Sequence, residues 1–175
     1  VMTIRVLSAE IASQIAAGEV VERPASVVKE LVENALDAGA KIILIEIANA
    51  GRTLIKVADD GMGIPAKELE LAVERHATSK LTTAGDLFHI TTLGFRGEAL
   101  ASIGSVSRMI IISRTPDAAV GARISVEGGL GGKIEPTAAA IGTVIQVEDL
   151  FYNVPARLKF LKQDLTERKV IDTLI

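Results

Sequence analysis

The chain has 175 residues, of which 49% are hydrophobic, 23% charged and only 3% aromatic, and its formal net charge is -3. That length buries one sizeable core built mainly of Ile, Leu, Val and Ala, which excludes a disordered chain, and the slightly negative balance argues against a surface that binds nucleic acid throughout. With no cysteine present, a disulfide framework, a thiolate zinc site and thiol redox chemistry are all excluded.

In chain order, Val1 precedes Met2, and the start lacks the basic-then-apolar layout of a secretory signal. No run approaches the roughly 20 apolar residues of a membrane span, so a soluble protein that is not secreted is expected, and the absence of cysteine is compatible with a cytoplasmic location. Residues 8–18 carry small and apolar side chains at helical spacing, with Ser8 placed to cap a helix and Glu10 in its first turn. A second helix is predicted from Pro24, a favoured first-turn residue, through Val27, Val28, Leu31, Val32, Ala35 and Leu36 to a stop at Gly39. Residues 41–47 and 53–58 alternate apolar and polar and read as a β-hairpin turning at residues 49–52.

Residues 65–74 look helical, and residues 75–92 form a polar connection rich in Thr, Ser, Lys and Gly that reads as a loop. A helix over residues 95–103 opens on Gly94 and Gly97. Residues 108–113, 122–127, 133–135 and 143–147 then read as successive antiparallel strands, with a Gly-rich turn at residues 128–132. Residues 158–161 and 165–174 are predicted helical, giving an α+β chain with no internal domain boundary. The apolar pattern of Val170, Ile171 and Leu174 stops without a cap, so residues 1–175 are expected to be one domain cut short at its C-terminal end.

Three groups of residues suggest chemistry. Glu30 and Asn34, four apart on the second helix, share one face, where a carboxylate beside an amide oxygen can orient a water and hold Mg2+; alone, such a pair is an ordinary solvated helix face. Asp59-Asp60-Gly61-Met62-Gly63 ends a strand with an acid that can accept from an exocyclic amine, and its two glycines leave room for a flat base; alone, it is a turn. Gly94-Phe95-Arg96-Gly97-Glu98-Ala99-Leu100 opens a helix whose first backbone N–H groups suit phosphate, and Thr78-Ser79-Lys80 upstream could fold over polyphosphate as a lid.

These stretches, with Gly142-Thr143, resemble in order and spacing the four nucleotide-binding motifs of the GHKL ATPase superfamily. Gln14-Ile15-Ala16-Ala17-Gly18-Glu19-Val20-Val21, Arg75-His76-Ala77-Thr78-Ser79-Lys80, the Gly94 stretch and Leu150-Phe151-Tyr152-Asn153-Val154-Pro155-Ala156-Arg157 are similar to one branch in particular, the N-terminal ATPase of the MutL family of DNA mismatch repair proteins. The resemblance implies a Bergerat-type (GHKL) two-layer sandwich, a mostly antiparallel mixed sheet with helices on one face. It implies that Glu30 activates the water attacking the γ-phosphate, that Asn34 holds Mg2+, and that Asp59 reads the adenine of ATP. Gly63 would border the base, and Thr143 would support the Asp59 contact directly or through water. Thr78, Ser79, Lys80, Gly94, Arg96, Gly97, Glu98, Ala99 and Leu100 would surround the phosphates. Asp60 stands where the family more often has Asn and receives no role.

The same resemblance implies slow Mg2+-dependent ATP hydrolysis coupled to homodimerisation, with mismatch-recognition proteins of the MutS type as partners and DNA engaged weakly or through a missing domain. It also implies a transducer domain beyond Ile175, supplying a lysine to the γ-phosphate, and a C-terminal dimerisation domain. The alternatives are a nucleotide-gated interaction module in which binding is the working step, or another GHKL machine: a topoisomerase, a histidine kinase or a chaperone. His76 and His89 have no partner at metal-ligand spacing, the basic residues Arg157, Lys159, Lys162, Arg168 and Lys169 are interrupted by Asp164 and Glu167, and Phe151 and Tyr152 have too few aromatic neighbours for a stacking platform. The expectations are, in turn, that neither histidine is a metal ligand, that the basic residues form a solvated helix face, and that the two aromatics are packing residues.

Overall fold

The computed structural model describes residues 6–74 and 98–175. Helices α1 (Ala9–Val20) and α2 (Pro24–Asp37) lead into strands β1 (Ile43–Ala48) and β2 (Leu54–Asp59), joined by a 3-10 turn at Asn49–Gly51. Helix α3 (Ala66–Val73) and helix α4, described over residues 98–105, precede β3 (Arg108–Arg114), β4 (Gly121–Glu127), the short β5 (Leu130–Gly131) and β6 (Glu135–Thr137), and β7 (Gly142–Glu148). The chain ends in α5 (Pro155–Phe160) and α6 (Asp164–Leu174).

The helix signals in the sequence act as expected. Ser8 caps α1, its side chain accepting from the Ile11 N–H at 3.2 Å. Pro24 opens α2, where a missing N–H costs nothing. Gly39, at φ 75°, ends it: its N–H donates to the Leu36 carbonyl while that of Ala40 donates to Ala35, closing the last turn in a Schellman arrangement. The predicted 133–135 strand is displaced to Glu135–Thr137, and the Gly-rich turn contains the short β5, because Gly128 and Gly129 at φ 55° and 87° turn the chain at once back onto β4. Pro136 sits in β6, at the sheet margin, where a missing N–H is tolerated.

The strands form one seven-stranded sheet in the order β1-β2-β7-β3-β4-β5, with β6 also on β4, and all the described pairings are antiparallel. The last long strand thus lies between β2 and β3 and does not follow β4 at the edge. Alternation divides each strand between two faces. Ile55 and Val57 of β2, Met109 and Ile111 of β3, Ile124 and Val126 of β4 and Ile145 and Val147 of β7 are buried against Val27, Val28 and Leu31 of α2, Leu69 and Val73 of α3, and Leu100 and Ile103 of α4. The opposite face carries ion pairs such as Lys56 with Glu46 at 3.2 Å and Arg108 with Glu127 at 2.9 Å. Among the described residues no helix is long and apolar enough to cross a membrane.

Helix α6 belongs to the same core, where Ile171 is fully buried. It is pinned at its start by Arg52, which pairs with Asp164 at 2.6 Å and also donates to the Lys162 carbonyl. The buried Glu167 accepts from the Lys162 N–H at 3.0 Å and faces Arg23 just ahead of α2. Phe151 is buried and Arg108 lies 4.2 Å over the Tyr152 ring, so both aromatics pack as expected. The basic stretch is partly built in: Arg157 donates to the Gly18 carbonyl at 2.6 Å, while Arg168 pairs with Asp172 on the exposed side of α6. Replacing Ile171 with Ala removes a buried side chain at the junction of α6 with α2, and urea unfolding is expected to register a loss of about 2–5 kcal/mol; an unchanged midpoint would mean that α6 lies outside the cooperative core.

Candidate functional site

Three cross-strand rows lie on the helix-covered face. Ile55, Val147, Met109 and Val126 form one, and Val57, Ile145, Ile111 and Ile124 the next. Continuing by two residues gives Asp59, Thr143, Ser113 and Ala122, with Ile43 beside Asp59 on β1. At one end of the sheet, therefore, the layer that should be apolar is polar. Thr143 and Ser113 are 6% and 2% exposed, and their hydroxyl oxygens lie 2.8 Å apart. The half-buried Asp59 accepts from the Gly61 N–H at 2.8 Å. Burial raises the Asp59 pKa above the ordinary carboxylate value, the N–H groups of Gly61 and Thr143 draw it back, and the neighbouring Asp60 charge raises it again.

Three glycines close this end. A Cβ on Gly142, at φ 124°, would run into the Asp59 carbonyl, and one on Gly63, at φ 73°, into the Arg114 carbonyl. A Cβ on Gly61 would sit 2.8 Å from the Ala38 Cβ, where the turn meets the end of α2 and the Met62 N–H donates to the Ala38 carbonyl at 3.0 Å. The glycines of the Asp-x-Gly-x-Gly stretch are thus required by backbone contacts before any base is considered. Asp60 turns outward and accepts from the N–H groups of Lys41 and Ile42 at 2.7 and 2.9 Å, which hold its pKa low. It ties the end of β2 to the chain entering β1.

Helix α2 runs away from this turn. At 1.5 Å per residue, Asn34 and Glu30 stand about 6 and 12 Å along the axis from Ala38, and both are half-buried beside the stripe that carries Val27 and Leu31. Among the described residues neither side chain makes a hydrogen bond, which leaves both oxygen donors available. Burial raises the Glu30 pKa, the Glu33 charge adds to the rise, and Lys29 opposes it.

In α4, Glu98 is exposed while Ala99 and Leu100 are 5% and 3% exposed; the last two have no side chain to offer a ligand, only backbone. Thr78, Ser79, Lys80, Gly94, Arg96 and Gly97, both histidines and the 75–92 loop lie outside the described residues. The sequence reading missed Ser113. Its signal is parity: Met109, Ile111 and Ser113 share a face, as do Ile55, Val57 and Asp59, so each strand ends its apolar series on a polar residue.

Comparison with known proteins places the chain in a family by sequence and fold. Residues 22–128 match the model of the "Histidine kinase-, DNA gyrase B-, and HSP90-like ATPase" family. DNA mismatch repair protein MutL of Chelativorans sp. (strain BNC1) is 59% identical over 174 residues, 99% of this chain and 28% of that protein. MutL of Shewanella woodyi (strain ATCC 51908 / MS32) is 57% identical over 98% of this chain and 28% of its own length. The chain thus spans 28% of the length of these relatives. Among solved structures, the Aquifex aeolicus MutL ATPase domain complexed with ADP superposes with a TM-score of 0.71 at 37% identity, covering 87% of this chain and 53% of that one. The chain belongs to the histidine kinase-, DNA gyrase B- and HSP90-like ATPase family, and within it groups in sequence and fold with the ATPase region of MutL.

Proposed function

We propose that this chain binds ATP with Mg2+ and hydrolyses it slowly, and that in a longer protein this drives dimerisation and conformational switching during DNA mismatch repair. The observation that carries the reading is the polar row Asp59-Thr143-Ser113 at the foot of α2, with Asn34 and Glu30 spaced along that helix. A base amine at Asp59 puts the phosphates of the same nucleotide along α2. The likeness to a MutL ATPase domain solved with ADP supports an adenine nucleotide as the ligand.

Each residue then has a task. The Asp59 carboxylate accepts from the adenine amine, Thr143 braces that contact, and Gly63 borders the base. Glu30 accepts the proton of the attacking water. Thr78, Ser79, Lys80, Arg96 and the backbone from Gly94 through Gly97, Glu98, Ala99 and Leu100 surround the phosphates. The donor set suits Mg2+: Asn34 offers a hard amide oxygen four residues from the Glu30 carboxylate on α2, and Mg2+ takes only one or two protein oxygens, with phosphates and water completing its shell. Asn34 would hold it, where it would neutralise phosphate charge.

The wider role rests on the MutL likeness. It comprises a homodimer closed by ATP, partnership with mismatch-recognition proteins of the MutS type, DNA contacted through further domains, and a bacterial cytoplasmic location. A lysine from a transducer domain would complete the site, so the 175-residue chain alone should turn over ATP more slowly than a longer one.

Two outcomes follow. Glu30→Ala should lower steady-state hydrolysis by about 10²-fold or more while ATP binding persists; undiminished hydrolysis would remove Glu30 from the role of base. Sedimentation of the same variant with ATP separates binding from turnover, since dimerisation without hydrolysis makes binding the working step. The second outcome concerns pH. A carboxyl with a raised folded pKa stabilises the fold below its unfolded pKa, and that contribution is lost as pH rises through the folded value. Ionised Glu30 is therefore a burden at neutral pH, and Glu30→Gln should melt at or above the wild-type temperature there, the gap closing below about pH 4. The acid limb of the hydrolysis profile should correspondingly lie above the ordinary Glu value; a limb below it would contradict this electrostatic assignment.

A further inference from the structure

We propose that Ser113, which lies outside all the nucleotide-binding motifs, fixes the hydrogen-bonding direction of Thr143 and so makes the pocket select a base edge bearing an amine over one bearing a keto oxygen. This rests on the ATP reading above.

The Ser113 Oγ has three neighbours. The Ile64 N–H donates to it at 2.7 Å, the Gly142 carbonyl lies at 3.0 Å, and the Thr143 Oγ1 lies at 2.8 Å. A hydroxyl has one proton and two acceptor positions. The Ile64 N–H can only donate and the Gly142 carbonyl can only accept. One arrangement makes all three contacts hydrogen bonds: Ser113 gives its proton to Gly142, and Thr143 gives its own to Ser113. Ser113 is then saturated, as a side chain 2% exposed should be.

The consequence falls on Thr143. With its proton turned inward, its oxygen presents only lone pairs to the pocket. Asp59, its direct cross-strand partner, is an acceptor alone when ionised. Two acceptors thus stand side by side, about 5 Å apart at Cβ. An exocyclic amine carries two N–H donors and satisfies both, directly or with the second bond passed through a water. A keto oxygen meets lone pairs only. Ser113 also holds Ile64, the residue after Gly63, against β3, so the glycine that borders the base and the hydroxyl beside it are set by one atom.

Ser113 is on this view a positioning residue, and its effect is on choice rather than on binding alone. The experiment compares ATP and GTP affinity by calorimetry for the wild type, Ser113→Ala, Ser113→Thr and Thr143→Val. Removing the Ser113 hydroxyl frees the Thr143 proton to meet a keto oxygen. The ATP-to-GTP affinity ratio of Ser113→Ala should fall roughly tenfold, while Ser113→Thr, which keeps the hydroxyl, should retain the wild-type ratio. Thr143→Val leaves Ser113 and its other two contacts in place and removes the second acceptor, so it too should lose selectivity; it gives the answer even if Ser113→Ala does not fold. Equal weakening for both nucleotides in Ser113→Ala would reduce Ser113 to a structural role and overturn the proposal, as would an unchanged ratio in Thr143→Val. A wild-type protein that bound neither nucleotide would instead overturn the ATP reading.

Discussion

The placement of β7 between β2 and β3 is the constraint on which the site depends. Asp59 and Ser113 belong to strands far apart in sequence, and only an intervening strand in register with both brings Thr143 between them. Because strand side chains alternate, a slip of β7 by one residue would send Thr143 to the open face and turn Val144 inward. The buried rows below, Val57-Ile145-Ile111 and Ile55-Val147-Met109, guard against that slip, since it would expose Ile145 and Val147 and bury Gln146 at once. Packing of the core and alignment of the site are therefore one requirement.

The same end of the sheet shows what the alignment costs. Three glycines are needed where backbone meets backbone, two of them at positive φ. Two carboxyls, Asp59 and Glu30, are partly desolvated and raised in pKa. Neither arrangement favours the empty fold. On the proposed reading the two carboxyls would gain partners from a donor-bearing base and a Mg2+-neutralised polyphosphate, so that ligand binding would favour the folded state. Helix α2 connects the two carboxyls, for its C-terminal turn touches Gly61 and Met62 while its earlier turns carry Asn34 and Glu30. At its other end Glu167 faces Arg23, so the C-terminal helix rests on the element that carries the proposed base.

Much of this was readable from the residues because the signals were local. Pro24 and Gly39 bound α2, Ser8 caps α1, and alternation marks β1 to β4 and β7. The α+β class and the hairpin followed from spacing, and spacing with likeness to a family singled out Glu30, Asn34, Asp59, Gly63 and Thr143 as the proposed set, of which Asp59 and Thr143 stand side by side across β2 and β7. The strand order did not, since nothing local to residues 142–148 states that they pair with both residues 54–59 and 108–114. Ser113 escaped for the same reason: a lone Ser in an apolar strand has no meaning until its cross-strand neighbours are known. Asp60 gained its role only when the chain entering β1 was placed beside it, and β6 shifted because the glycines ahead of it turn earlier than composition alone reveals.

The central claim is that the polar row receives an adenine and α2 the phosphates. A crystal structure with a non-hydrolysable ATP analogue and Mg2+ tests it most directly. The exocyclic amine should lie within about 2.7–3.2 Å of the Asp59 carboxylate, with the triphosphate running along α2 towards Glu30 and the Asn34 oxygen on the metal. A nucleotide bound away from this row, or with its amine turned from Asp59, would contradict it.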